Sequence, residues 1–366
     1  MDPTTVCCPN LACSARGHIG QGNIGIHAQK DRRFICPQCR TTFSATKGTV
    51  FYRRRTAAET VALVVTLLAH GCPVHAMVAA LGFDERTVAD WWARSGRQGQ
   101  AVQEHLVEQP GDLGQVQADE IRVKKQGGIG WMALAMMVKT RLWLGGEVSE
   151  QRDRPLIRRL IERVRRGAAR RPLLVCPDGL VSSIRAMRET LRDPVHTGTG
   201  GRPRLRRWRH VLIAQVVKRS ERRRVVDTER RLVDGTPARV ETLRRRSHGD
   251  GVINTAYIER LNATFRERLA PLARRSRALA RRTLTLHHGM SLIGTVYHFC
   301  TPHASLPPSS GGTTPAMAAG ITDHCWTVQA LLSFPVPPPR WTPPSRRGRP
   351  SHAFKRLSER WCGDHG

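Results

Sequence analysis

Apolar and polar positions change their period along the chain, and the changes mark out regions. Residues 1–50 show no helical period and are rich in Gly, Cys and turn residues. Residues 56–96 read as three helices. Thr56, Ala57, Ala58 and Glu59 make a capping box before an apolar run that stops at Gly71. Pro73 suits the first turn of a second helix, CPVHAMVAAL. Asp84 caps a third, DERTVADWWARS, closed by Gly96. From residue 112 the texture becomes strand-like, with 115–123, 131–138 and 141–148 as successive strands between Gly-rich turns. A basic amphipathic helix follows over 153–167, then a short buried strand at 173–176, helical sequence to 192 and another strand at 211–217. Residues 219–248 are highly charged and fit a hairpin or a helix. The span 254–282 reads as a helix with an apolar stripe of Ile258, Leu261, Phe265, Leu269 and Leu272, which Pro271 kinks or ends. After residue 300, proline and glycine dominate, as in a tail or linker with little core.

This order predicts an α/β core of mixed sheet and flanking helices over 112–300, with a long basic insert at 193–250. A small Cys-rich module (1–50) and a helical region (56–105) precede it, and a proline- and glycine-rich basic tail (301–366) follows.

Charge sharpens the picture. The net charge is +31, and it is uneven: residues 151–290 hold 36 basic and 13 acidic side chains. Such a field attracts polyanions, and nucleic acid is the obvious phosphate-bearing partner. The bland alternative is a solvated arginine-rich surface. No stretch reaches the roughly 18 apolar residues of a membrane helix, and MDPTTVCCPN lacks the basic start and apolar run of a signal peptide, so no membrane partner is expected. Five of the ten cysteines fall in the first 39 residues at metal-ligand spacing, which favours a reducing, cytoplasmic compartment over a disulfide framework.

Three acids fall at positions suited to chemistry. Asp119 ends the strand-like run QVQADEIRV, Asp178 follows the short apolar run in LLVCPDG, and Glu259 lies on the helix INTAYIERLNATFRERL. Carboxylates at two strand ends and on one helix can gather around hard dications, Mg²⁺ or Mn²⁺, and leave room for substrate phosphate. Arg266, seven residues after Glu259, shares its helix face and is placed to hold phosphate or transition-state charge. Glu120, Glu189 and Asp250 are the reserve acids. Taken alone, Glu259 is an ordinary exposed glutamate on an amphipathic helix. Cys8, Cys13, Cys36 and Cys39 give a C-x4-C-x22-C-x2-C pattern that can supply four thiolates to Zn²⁺ as a zinc ribbon, with Cys7 an alternative first ligand. The short helix, glycine turn and polar-faced helix around 73–96 form a helix-turn-helix pattern, with Arg86, Thr87 and Asp90 facing DNA and Val88 with Trp91 or Trp92 facing the core. A plain three-helix bundle is the alternative. Arg346–Pro350, RRGRP, has the composition of a minor-groove hook or of a solvated basic tail.

The Cys-rich module, the helix-turn-helix, and then ADEI, CPDG and NTAYIERLNATFRERLAPLARRSRALARRT resemble DDE transposases of bacterial insertion sequences, of the insertion-sequence-one type. TPHASL and TPAMAAGIT are similar to C-terminal ends common among transposases. The resemblance covers residues 8–325. It implies a ribonuclease-H-like catalytic fold and Mg²⁺ or Mn²⁺. It also implies terminal inverted repeats and target duplex as substrates, a homodimer or higher oligomer on DNA, and a nucleoid-associated location. By position Asp119, Asp178 and Glu259 match its catalytic triad. The C-x4-C pair, the long insert and the proline-rich tail depart from that pattern. A non-catalytic DNA-binding regulator or inactive remnant would use the same N-terminal modules without the acids. A nuclease without strand transfer would share the site.

Overall fold

The computed structural model describes residues 1–177, 181–195, 202–222, 224–247, 252–274, 278–308, 311–344 and 348–362. They fall into two compact units, Met1–Ala58 with Leu332–Gly366, and Glu59–Leu331.

The smaller unit is built on three short antiparallel strands, β1 (Gly25–Ala28), β2 (Arg33–Ile35) and β3 (Thr42–Ser44). Phe34 and Phe43 are paired across β2 and β3, with ring centroids 5.8 Å apart. So small a sheet has little apolar surface to bury. The C-terminal segment supplies more. The helix His352–Cys362 places Trp361, only 5% exposed, into the cluster of Ile24, Phe34 and Phe43, where its ring lies 5.0 Å from that of His18. Arg16 Nε donates to the Pro339 carbonyl at 3.0 Å. The expectation of a tail with little core is therefore corrected: composition marks 332–366 as irregular but does not reveal the surface it folds back on. Arg346 and Arg347 of the RRGRP segment lie outside the described residues. Trp361→Ala removes a buried ring and is expected to destabilise this unit by about 3–5 kcal/mol. The check is faster limited proteolysis within 1–58, with the larger unit's protection unchanged.

The larger unit begins with α1 (Ala58–Ala69), α2 (Val74–Leu81) and α3 (Glu85–Val102). Asp84 caps α3, its Oδ1 accepting the Arg86 N–H at 2.8 Å. The helix does not close at Gly96. A Cβ there would lie 2.4 Å from that of His288, and one on Gly99 would lie 2.9 Å from the Ser291 carbonyl. Both glycines allow backbone contact with a later helix, and a glycine kept for close approach carries the same sequence signal as one that ends a helix.

The main sheet has six strands: β4 (Gln115–Lys125), β5 (Gly128–Met137), β6 (Trp143–Ser149), β7 (Leu173–Pro177), β10 (Val211–Glu221) and β11 (Arg224–Asp234). A separate two-stranded ribbon joins β8 (Arg192–Val195) to β9 (Arg204–Arg207). The order in the main sheet is β11-β10-β7-β4-β5-β6. β4, β7 and β10 are parallel, while β5, β6 and β11 run antiparallel to their neighbours. Helices α4 (Arg154–Gly167) and α5 (Val181–Thr190) flank one face. The other carries α6 (Pro237–Arg246), α7 (Ala256–Arg268) and α8 (Thr283–Thr295). Two short helices, α9 (Pro315–Ala318) and α10 (Val328–Ser333), follow.

Two expectations about this region are corrected. The basic stretch 193–250 is not simply an insert, because β10, β11 and α6 come from it. Leu212, Ala214, Val240 and Leu243 pack with Leu174 and Cys176 of β7. The helix expected over 254–282 stops at Arg268; Pro271, which has no N–H to donate, lies in a 3-10 turn, and a new helix starts at Thr283. The apolar stripe is as expected: Ile258, Leu261, Phe265, Leu269 and Leu272 are all buried against Ile121, Val123, Met132 and Leu134.

His298 follows α8, fully buried, with no hydrogen-bond partner at either ring nitrogen among the described residues. Burial depresses its pKa to about 3. The unfolded chain takes up this proton near pH 6.5 and the folded chain does not. Stability is therefore full above about pH 6.5 and falls as pH drops toward 3, by roughly 1.4 kcal/mol per unit from this group. Melting curves from pH 7.5 to 5 should show that decline, and His298→Phe should flatten it.

Candidate active site and four-cysteine cluster

The cleft of interest lies where the centre of β4 meets the first turn of α7. Gln117, fully buried, ties the two together: its Nε2 donates to the Asn254 carbonyl at 2.7 Å and its Oε1 accepts the Ile258 N–H at 2.9 Å. Two residues further along β4, on the same face by the strand's alternation, stands Asp119, in the middle of the strand and not at its end as expected, because pairing with β5 continues to Lys125. Its Oδ2 accepts from Asn262 Nδ2 at 2.7 Å and its Oδ1 from the Glu120 N–H at 2.8 Å. Asn262 is one helical turn after Glu259, so one face of α7 both holds Asp119 and presents the glutamate. Thr255 Oγ1 donates to Glu259 Oε1 at 2.6 Å, and Lys218 of β10 forms an ion pair with the same carboxylate.

Asp119 and Glu259 line one cleft of about 790 Å³, with Arg152, Lys218, Arg266 and Arg274 around them. Arg266 is half-buried. Burial lowers its pKa and the nearby Arg274 charge adds to this, while Asp119 and Glu259 oppose both. Burial and Arg274 thus outweigh the two acids, and an added phosphate would favour the charged guanidinium. The donor set is oxygen-only, which suits a hard dication, and Lys218 holds a monovalent positive charge against Glu259.

Asp178 lies outside the described residues, as does the reserve acid Asp250. The residue before Asp178, Pro177, is in parallel register with Ala118, the residue before Asp119. Glu120 points to the opposite sheet face and pairs with Arg152 at 2.7 Å. Glu189 pairs with Arg185 at 3.0 Å and Arg154 at 3.5 Å. Sequence reasoning missed Lys218, Gln117, Thr255 and Asn262. For Asn262 a signal existed in its i+3 spacing from Glu259. Lys218 has none, because strand order alone brings it to the cleft.

On α3, Arg86 is exposed and Thr87 half-buried, while Asp90 makes an ion pair with Arg94 at 3.1 Å. Val88 and Trp91 are buried, with Trp91 packed edge-on against Phe83 at 5.0 Å.

In the smaller unit the sulfur atoms of Cys8, Cys13, Cys36 and Cys39 all lie within 4.8 Å of one another; Cys7 is not among them. The Cys8–Cys39 and Cys13–Cys36 separations are 3.6 and 3.9 Å. Tetrahedral zinc with Zn–S near 2.3 Å requires S···S of about 3.8 Å, so these four thiols can hold such a metal. Burial raises the Cys8 thiol and takes Cys13 up to about 11. Burial also acts to raise Cys39, but contacts with Thr41 and Asn10 outweigh it and bring the thiol down to about 6.

Among the described residues no helix is long and apolar enough to cross a membrane. Compared with known proteins, the chain matches no family model and no curated protein.

Proposed function

We propose that the protein is a DDE-type transposase, with a ribonuclease-H-like catalytic unit that cleaves phosphodiesters at the terminal inverted repeats of an insertion sequence and joins them to target DNA. One observation carries the reading: Asp119 and Glu259, 140 residues apart in sequence, share a cleft rimmed by four cationic side chains. The mixed sheet with helices on both faces supports the fold assignment. The resemblance of the ADEI, CPDG and ERLNATFRERL segments supports the reaction class.

In this reading Asp119 and Glu259 hold Mg²⁺ or Mn²⁺, with Asp178 as the third acid. The bound ions supply positive charge to the attacking and leaving oxygens. Asn262 and the Glu120 N–H orient Asp119, and Thr255 orients Glu259. Arg152, Lys218, Arg266 and Arg274 bind phosphate oxygens, and Arg266 offsets charge developing at phosphorus. A water oxygen attacks phosphorus, the P–O3′ bond breaks, and the departing oxygen takes a proton to become a free 3′-hydroxyl. That hydroxyl then attacks a target phosphodiester, losing its proton and displacing a target 3′-oxygen. Arg86 and Thr87 on α3 contact base edges of the inverted repeats, with Asp90 beside them. Zinc on the four cysteines stabilises the smaller unit, and a dimer or larger assembly brings two ends together.

The Lys218–Glu259 ion pair favours a second reading. A lysine that satisfies the glutamate without metal suits an inactive remnant that retains only DNA binding. A strand-transfer assay in Mg²⁺, with an EDTA control, separates the two. The transposase reading expects joined products that require the metal. Specific end binding without cleavage or joining supports the remnant. Asn262→Ala, which frees Asp119 to turn, is expected to lower the joining rate roughly 10–100-fold and raise the Mg²⁺ concentration needed for half-maximal rate. An unchanged Mg²⁺ requirement contradicts that positioning role.

A further inference from the structure

A second basic feature lies at the other end of β7. Two hollows of about 580 and 210 Å³ share Arg170, Asp193 and Trp208, and so form one groove. Its walls are the last turn of α4, the loop at 168–171 and the segment from β9 to residue 210. The Leu173 N–H donates to the His210 carbonyl at 3.0 Å, tying this groove to the start of β7. Asp119 lies beyond the opposite end, next to the register of Pro177. Five residues of strand, about 3.3 Å each, separate the two places.

The groove carries far more positive than negative charge. Arg165 and Arg166 line the first hollow only, Arg206 and Arg209 the second only, and Arg170 both. Asp193 and Glu162 are its acids. Arg165 and Arg170 reach Asp193 only at 3.4 and 3.3 Å. Arg171, Arg206 and Arg209 make no ion pair among the described residues. Arg166 pairs with Glu108 at 2.8 Å and Arg207 with Asp234, so the groove's arginines outnumber the acids that reach them, and an added polyanion relieves the remaining repulsion. They are strung along both hollows instead of converging on one point, which suits a chain of phosphates better than a single phosphate. Among the described residues Trp208 and His210 are the only rings that line the groove, and the Arg165 guanidinium lies 5.9 Å from the Trp208 ring. A single-strand site usually needs several stacking rings, so the groove fits a duplex backbone.

We propose that this groove binds the phosphate backbone of duplex DNA, at a site separate from the Asp119–Glu259 cleft. Binding here requires no chemistry at the cleft, so it goes beyond the transposase reading and can fail or stand independently of it.

The test is equilibrium binding of the full chain to a labelled 30-bp duplex of arbitrary sequence, in EDTA, across 50–300 mM NaCl. The variant is Arg170→Gln with Arg206→Gln. Arg170 is 79% exposed and Arg206 is also exposed, so an unchanged melting temperature should confirm an intact fold. Loss of two phosphate contacts should weaken binding roughly 30-fold at 150 mM salt and reduce the slope of log affinity against log salt by about two. Arg239→Gln with Arg245→Gln on α6 removes the same charge elsewhere and should change affinity by less than about threefold. The proposal is overturned by an equal effect of both pairs, by no effect of the groove pair, or by an effect confined to single strands or inorganic phosphate.

Discussion

Asp119→Ala and Glu259→Ala are each expected to lower DNA cleavage and joining about 1,000-fold or more while leaving end binding intact. A drop of that size is about 4 kcal/mol of lost transition-state stabilisation. The expectation rests on geometry: both carboxylates face one cleft, each held by its own hydrogen bond from Asn262 or Thr255. Binding should hold or tighten, since removing a carboxylate from a phosphate site relieves like-charge repulsion. Glu120→Ala is the informative contrast. Its carboxylate pairs with Arg152 and does not face the metal acids, so its loss acts only through one of the four cleft cations and should cost far less than either cleft variant. Matched binding and joining assays on the three variants check this. Full joining activity in either cleft variant would place the chemistry elsewhere.

Cys36→Ser is expected to abolish zinc retention and unfold the smaller unit. The core there is slight, and structural zinc contributes on the order of 10–16 kcal/mol to small zinc-binding peptides. Wild-type protein purified without chelator should carry about one zinc per chain, and the variant almost none. Proteolysis should then cut within 1–58 first. Cys7→Ser should keep its zinc, because the four clustered sulfurs belong to Cys8, Cys13, Cys36 and Cys39. Zinc at wild-type level in Cys36→Ser would contradict this.

Local signals carried much of this fold. The two-residue period found β4, β5 and β6 within a few residues. The helical period found α4 and the stripe on α7, and cysteine spacing found the cluster. What escaped was set by tertiary contact. Gly96 looks like a helix stop until α8 is seen against it. Trp361 sits on a short charged helix after a proline-rich stretch, with no local hint of its partners. Lys218 follows the apolar run of β10 with nothing local to mark it as a site residue, and only the pairing of β10 with β7 brings it to Glu259. The cleft was legible in its two acids and Arg266. The side chains that orient those acids were not, apart from the spacing of Asn262.

The most direct measurement is a crystal structure of the protein soaked in Mn²⁺, with anomalous difference density used to locate the ions. The account predicts density in the cleft, with carboxylate oxygens of both Asp119 and Glu259 about 2.1–2.2 Å from manganese and Lys218 moved off the glutamate. Manganese bound only elsewhere, with Lys218 still on Glu259, would contradict it.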